Sequence, residues 1–169
     1  MADHLVDIVN EQDEVIGQDL KSNKIAKDFI SRVVAILLLN PAGEIILCRR
    51  ADHKKNAAGL YDLAAFGNVE ADESYESAAH RELKEELNIE CDLKLLDKFY
   101  QEVNNDDKKY KIFCGVFLGR AGEDELKLNH ELVEVKTMSL PDFDKDLQEN
   151  PNDYCPGLIN DYYQCKNKL

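Results

Sequence analysis

The stretch from Ser74 to Leu87 constrains this chain most, because it places three glutamates, Glu82, Glu85 and Glu86, on one predicted helix. At about 100° per residue, Glu85 lies about −60° and Glu86 about +40° from Glu82, so the three carboxylates share one arc. Tyr75, Ala79, Leu83 and Leu87 fall at about +20° to +140° on the same wheel, an apolar stripe beside the acids. The spacing predicts a helix that docks by this stripe and presents its acids along the edge of the contact. Like charges at such spacing repel, so helix stability alone does not select them. An acidic run is most often a solvated helix face. The alternative is a hard divalent cation: Mg²⁺ or Mn²⁺ takes oxygen ligands and turns the repulsion into binding.

The flanking residues favour the second reading. Gly67 ends a predicted strand at a turn, where the missing side chain lets the backbone expose its carbonyl. Ser74 is a good N-cap. Glu73 and Arg81 sit on either side of the loop-to-helix junction and are placed to pair. Asn88 follows the last turn, where a left-handed residue is wanted and Asn serves after Gly.

The rest of the chain reads as mixed α and β. The 169 residues suit one domain, expected to run over residues 1–169 as an N-terminal hairpin and connecting segment (1–30), a core (31–140) and C-terminal helices (141–169). Hairpins are expected from Leu5–Val9 with Val15–Gln18, and from Val33–Asn40 with Glu44–Arg50 across Pro41-Ala42-Gly43. Leu60 to Phe66, Asp92 to Glu102, Lys109 to Leu118 and Leu132 to Met138 read as strands, with a turn at 104–107. Pro141–Gln148 and Pro156–Lys166 read as short helices. The longest apolar run, Val33 to Leu39, is far below the about 20 residues of a membrane span and reads as a buried strand. A net charge of −13 disfavours nucleic acid and anionic membranes as partners. It still admits a small phosphorylated substrate when a divalent cation stands between them. The N-terminus has no apolar h-region, and the five cysteines are odd in number without C-x-x-C spacing. Reduced, mostly buried thiols in a cytoplasmic protein are the expectation.

Gly67, Glu73, Arg81-Glu82-Leu83, Glu85-Glu86 and Ile89 together resemble the Nudix box, G-x5-E-x7-R-E-U-x-E-E-x-G-U with U apolar. The one departure is Asn88, at the last Gly, which is conservative for the backbone. The resemblance implies an α/β Nudix sandwich, α/β/α with a mixed β-sheet, here with an added N-terminal β-hairpin. It implies hydrolysis of a nucleoside diphosphate linked to another moiety, with Mg²⁺, or Mn²⁺ in its place, as cofactor. Carried over, Glu82, Glu85, Glu86 and the Gly67 carbonyl are the metal ligands, with Glu85 also assigned to catalysis. Glu73 and Arg81 are structural. A general base is expected from outside the box, at Glu131 or Glu134, with Glu131 preferred. Arg49 or Arg50 would approach the phosphates; adjacent strand residues face opposite ways, so only one can enter a given site. Lys54 and Lys55 read as an ordinary soluble loop. No stacking Trp exists, so Tyr61, Phe66, Tyr100, Tyr110 and the Tyr162-Tyr163 pair are the aromatic candidates.

The N-terminal hairpin and Asn40 to Arg50 also resemble the isopentenyl-diphosphate-isomerase-like branch of the same superfamily. An isomerase of that branch needs a Cys and a His around the box glycine, an upstream His and paired strand acids. Here Phe66, Asn68, Ser31, Tyr110 and Ile112 stand at those positions. The expectation is therefore hydrolase chemistry on an isomerase-like outline. The alternatives are an isomerase, or a non-catalytic domain that binds a nucleotide. The hairpin would either pair across a homodimer or pack on its own domain.

Overall fold

The apolar run Val33 to Leu39 forms the centre of the sheet, and each of its seven residues is buried. That composition fits a strand covered on both faces. The computed structural model describes residues 3–105 and 108–169; Met1, Ala2, and Asp106 and Asp107 of the expected turn lie outside the described residues. In chain order the elements are β1 (Leu5–Val9), β2 (Val15–Leu20), β3 (Ser31–Leu39), β4 (Ile45–Arg50), β5 (Tyr61–Asp62), β6 (Ala65–Asn68), α1 (Tyr75–Leu87), β7 (Lys94–Asn105), β8 (Lys108–Arg120), β9 (Leu132–Met138), α2 (Leu140–Glu149) and α3 (Pro156–Cys165).

Strands β3 to β9 make one mixed seven-stranded sheet, and β1 and β2 make a separate hairpin. β3 runs parallel to β8, from Ser31 opposite Ile112 to Leu39 opposite Arg120. Its other side is shared. Leu38 and Leu39 pair with β4, while Val33 to Ile36 pair with β6. β3 and β4 therefore part like a fork, and residues 61–68 fill the opening. This corrects the single strand expected over Leu60–Phe66: β5 lies on β4, β6 lies on β3, and the chain crosses between them.

Side-chain alternation splits the core into two layers. Val34, Ile36, Leu38, Ile46 and Cys48 pack with Ala78, Ala79, Leu83 and Leu87 of α1. Val33, Ala35, Leu37, Leu39, Ile45 and Leu47 pack with Phe143 of α2 and with Leu158 and Tyr162 of α3. The result is the α/β/α sandwich. The N-terminal hairpin packs on its own domain: Val9 N donates to Ile30 O at 3.0 Å, and Ala71 N donates to Leu5 O at 2.9 Å. Asp13 ties it down by accepting from Arg32 Nε at 2.7 Å, Lys98 Nζ at 2.5 Å and the Tyr75 hydroxyl at 3.1 Å.

Candidate active site

The fork between β3 and β4 sets Gly67 of β6 against Glu82 of α1 and brings Asp62 of β5, paired with Arg50 at the end of β4, within electrostatic reach of Glu86. α1 starts at Ser74, whose side chain accepts from Ser77 N at 3.1 Å, and ends at Asn88 in the left-handed region, φ 54°. Both ends match the caps read from sequence. Arg81 donates from Nε and Nη2 to Glu73 at 3.0 and 2.9 Å, and from Nη2 to the Asn68 carbonyl at 2.8 Å. One guanidinium thus locks the loop to both strand and helix, and Glu73 also accepts from Glu70 N at 3.0 Å. Burial alone would raise the proton affinity of Glu73, but these donors outweigh it and hold the group ionised.

The three acids sit in different environments. Glu86 is only 8% exposed, inside the contact rather than on its edge. Its wheel angle of about +40° falls between Tyr75 and Ala79, within the apolar stripe. It accepts from Phe66 N at 3.2 Å. Burial, then the charges of Glu82, Asp62 and Glu131, push its pKa up to about 8 despite that donor. Glu82 is partly buried, its proton affinity raised by burial although Arg81 Nη1 donates to it at 2.7 Å. Glu85 is exposed and lies 3.6 Å from Arg81 Nη1.

Gly67 is required here by close approach. A Cβ at this position would lie 1.9 Å from the Glu82 carboxyl carbon. No three His, Cys, Asp or Glu side chains among the described residues already stand as a metal cage. The donor set nevertheless suits a hard cation, because the acids crowd at low exposure with their repulsion only partly offset. Glu82 fills the space beside Gly67 and Glu86 accepts from the adjacent Phe66 N, so both acids lie against β6, while Glu85 stands at the exposed end.

Residues 121–131 bring the remaining acid. Lys127 N and Asn129 N donate to the Leu87 and Glu86 carbonyls at 2.8 and 3.0 Å, and Asn129 Nδ2 donates to the Glu85 carbonyl at 3.1 Å. They satisfy carbonyls that a helix end leaves free. Glu131 N then donates to Asn129 Oδ1 at 2.8 Å, and Glu131 O accepts from Ala51 N at 2.8 Å. Glu131 is close enough to Glu86 to raise that residue's proton affinity. Lys54 Nζ meets Glu131 Oε2 at 2.5 Å, so Lys54 is not merely a soluble loop residue. Burial raises the Glu131 pKa, but Lys54 more than reverses this and keeps the carboxylate ionised. Glu134 is exposed and accepts from the Tyr61 hydroxyl at 3.0 Å, apart from this group.

Arg49 and Arg50 diverge as alternation requires. Arg49 donates to the Gly59 carbonyl at 3.0 Å and lies 3.3 Å from Asp52. Arg50 donates to the Asn56 carbonyl at 3.3 Å and pairs with Asp62 at 3.4 Å. Of the two, Arg50 is therefore the one beside the acids. Asp62 escaped the sequence reading. It is buried on β5, with a pKa raised by desolvation against the pull of Arg50. A lone charge inside the apolar run Leu60 to Phe66 was the available signal.

Residues 30–156 match the NUDIX domain model, which is three quarters of the chain. The chain belongs to the Nudix family. An uncharacterised Nudix hydrolase of Pseudomonas aeruginosa is 33% identical over 156 residues, 92% of this chain and 89% of that protein. A Nudix hydrolase of Deinococcus radiodurans is 38% identical over 92 residues, only 54% of each protein. An isopentenyl-diphosphate Delta-isomerase of Photorhabdus laumondii is 28% identical over 139 residues, 82% of this chain and 78% of that one, which fits the isomerase-like outline. Among solved structures, a Deinococcus radiodurans protein has a TM-score of 0.78 at 23% identity, covering 96% of this chain and 99% of that one. The NUDIX domain of Shewanella oneidensis NrtR, solved with ADP ribose, has a TM-score of 0.62 at 16% identity over 88% and 98%. These two show the shared Nudix fold. No helix among the described residues is long and apolar enough to cross a membrane.

Proposed function

We propose that this Nudix protein is a Mg²⁺-dependent pyrophosphohydrolase acting on a diphosphate linkage in a nucleoside diphosphate derivative. The observation that carries the reading is that Glu82, Asp62 and Glu131, all at low exposure, lie within electrostatic reach of buried Glu86, with Arg50 paired to Asp62 and Lys54 to Glu131. A buried acid whose proton affinity is raised by several neighbouring acids, as that of Glu86 is by Glu82, Asp62 and Glu131, supports a functional site. Glu82, Glu86 and the Gly67 carbonyl would hold the cation, with Glu85 turning in from Arg81. When bound, a divalent ion neutralises phosphoryl oxygens and activates a water. Glu131, kept ionised by Lys54, accepts the proton of the attacking water. Arg50, whose planar guanidinium suits bidentate phosphate contact, orients the diphosphate. The nucleotide character of the substrate is supported by family membership and by the ADP-ribose complex of the Shewanella fold neighbour.

The isomerase-named relative makes isomerisation the rival reading. It is disfavoured because Phe66 has no proton to give; its side chain packs against the α2–α3 layer. A panel of nucleoside diphosphate derivatives with Mg²⁺ or Mn²⁺ tests the reading. Metal-dependent release of phosphate or nucleoside monophosphate is expected. Double-bond migration without release would replace it with the isomerase, and thermal stabilisation by ligand without turnover would replace it with a binding module.

A further inference from the structure

A cavity that the acid site does not use opens between the β4–β5 connection and the start of α3. Its volume is about 610 Å³, inside the range of about 300–1,000 Å³ typical of small-molecule sites. Ala58 and Leu60 line one wall, and Pro156 and Ile159 line the other. Asn152, before α3, and Asn104, near the end of β7, add two amides. Both walls are anchored to the Arg50–Asp62 pair. On the first, Arg50 N donates to the Leu60 carbonyl at 2.9 Å and Arg50 Nε donates to the Asn56 carbonyl at 3.3 Å. On the second, Cys155, directly before Pro156, donates from its N to the Tyr61 carbonyl at 2.8 Å and from its thiol to Asp62. Ala57, also on the cavity, is held at φ 50°, an uncommon conformation for a residue with a side chain. Strain of this kind collects at ligand clamps.

The chemistry of these walls fits a nucleobase. A base has flat faces that accept apolar contact and an edge of hydrogen-bond donors and acceptors. Leu60, Pro156 and Ile159 supply the apolar contact, and an Asn amide supplies both a donor and an acceptor to the edge. A polyol would waste the apolar walls, and a purely apolar group would strip water from the two amides without replacing it. Arg50, which orients the diphosphate, is tied to the first wall and paired with the Asp62 that the second wall contacts. We propose that this cavity takes the nucleoside end of the substrate, with Asn152 selecting the base. The word substrate here rests on the hydrolase reading above; nucleoside binding in the cavity does not.

The four common nucleoside monophosphates and ribose 5-phosphate are the probes, titrated calorimetrically into the full chain with Mg²⁺. At least one nucleotide is expected to bind about tenfold or more tighter than ribose 5-phosphate, which lacks the base. Ala58→Trp, which fills the cavity from its exposed rim, should remove that advantage and leave ribose 5-phosphate within about threefold of wild type. Ala42→Trp, the same change on the exposed β3–β4 turn, should alter neither affinity. Ala58→Met serves if the Trp variant does not fold, with thermal melting as the check. Four nucleotides that bind no better than ribose 5-phosphate overturn the proposal, as does an advantage that survives in the Ala58 variant. Asn152→Ala should bring the four nucleotides within about threefold of one another, and a base preference that survives it strikes Asn152 from the site. Turnover assayed in parallel keeps the two readings apart. Nucleotide affinity lost in Ala58→Trp, in a protein that hydrolyses no nucleoside diphosphate derivative, sinks the hydrolase reading alone. Metal-dependent turnover whose KM is unchanged in Ala58→Trp sinks the role of the cavity alone.

Discussion

Two buried carboxylates on opposite faces of the sheet invite comparison. Glu86, on the α1 face, and Asp161, on the α3 face, are both dehydrated, and burial raises the pKa of each, to about 8 and about 7. Their neighbours differ. Glu86 is surrounded by other acids, has one backbone donor, and lies near a rim of Arg50 and Lys54. Asp161 accepts from Gln101 Nε2 at 2.7 Å, is hydrogen-bonded to Cys114, and leaves Oδ2 without a partner. No cation rims it among the groups that shift its pKa. Burial of an acid does not by itself mark a site. Crowding with several like charges beside Arg50 and Lys54 is what a metal and a phosphate would relieve, whereas Asp161, which of the neighbouring acids feels only Asp62, is relieved by a proton.

Substitutions at the two positions test that contrast most sharply. Glu86→Gln should lower turnover by about 10³-fold or more through loss of a metal ligand, while raising the melting temperature without metal as pH rises to about 8 and above, where the buried acid ionises. Asp161→Asn should leave turnover within about threefold, and a large loss there would erase the distinction between the faces. Gly67→Ala comes next. Its Cβ would displace the Glu82 carboxylate, costing about 10²-fold in rate and about 1–3 kcal/mol in stability by overpacking. Rate assays together with denaturant melts separate those two effects. Glu131→Gln should cost about 10²-fold in kcat with little change in KM, the range of one general base. Near-full kcat would move the base elsewhere.

A pH dependence of stability tests the α3 face by itself. Asp161 has a folded pKa of about 7 against 3.8 for the free group. A raised acid pKa means the folded state holds its proton longer. The stability Asp161 contributes is full below about pH 4, falls as pH rises through 7, and is level above. Asp161→Asn should therefore match wild type near pH 4 and exceed it by about 2–4 kcal/mol at pH 8, read from melting curves across that window. Parallel curves for the two proteins would show that the acid is not protonated in the fold.

Much of this was legible in the chain. The caps Ser74 and Asn88, the Glu73–Arg81 pair and the central strand Val33–Leu39 follow from local chemistry, and the structure shows each of them. The strand over Leu60–Phe66 came out as two because its partners part at the fork, a fact about β3 and β4 rather than about those residues. Asp62 and Lys54 carried no spacing signal, since each meets its partner across more than ten residues. Glu86 was placed on the edge of its helix contact because the apolar stripe was read from four residues; the wheel already put it inside that stripe.

Periodicity, capping residues and box spacing act within a few turns of chain, so the sequence alone determined the helix, its acids and the family. Which acids became dehydrated, which arginine faced them and which lysine paired with Glu131 depended on how the sheet opens and where the loop at 121–131 returns. Those are differences in burial and Coulombic contact between distant segments, and such energies exist only once the chain has folded.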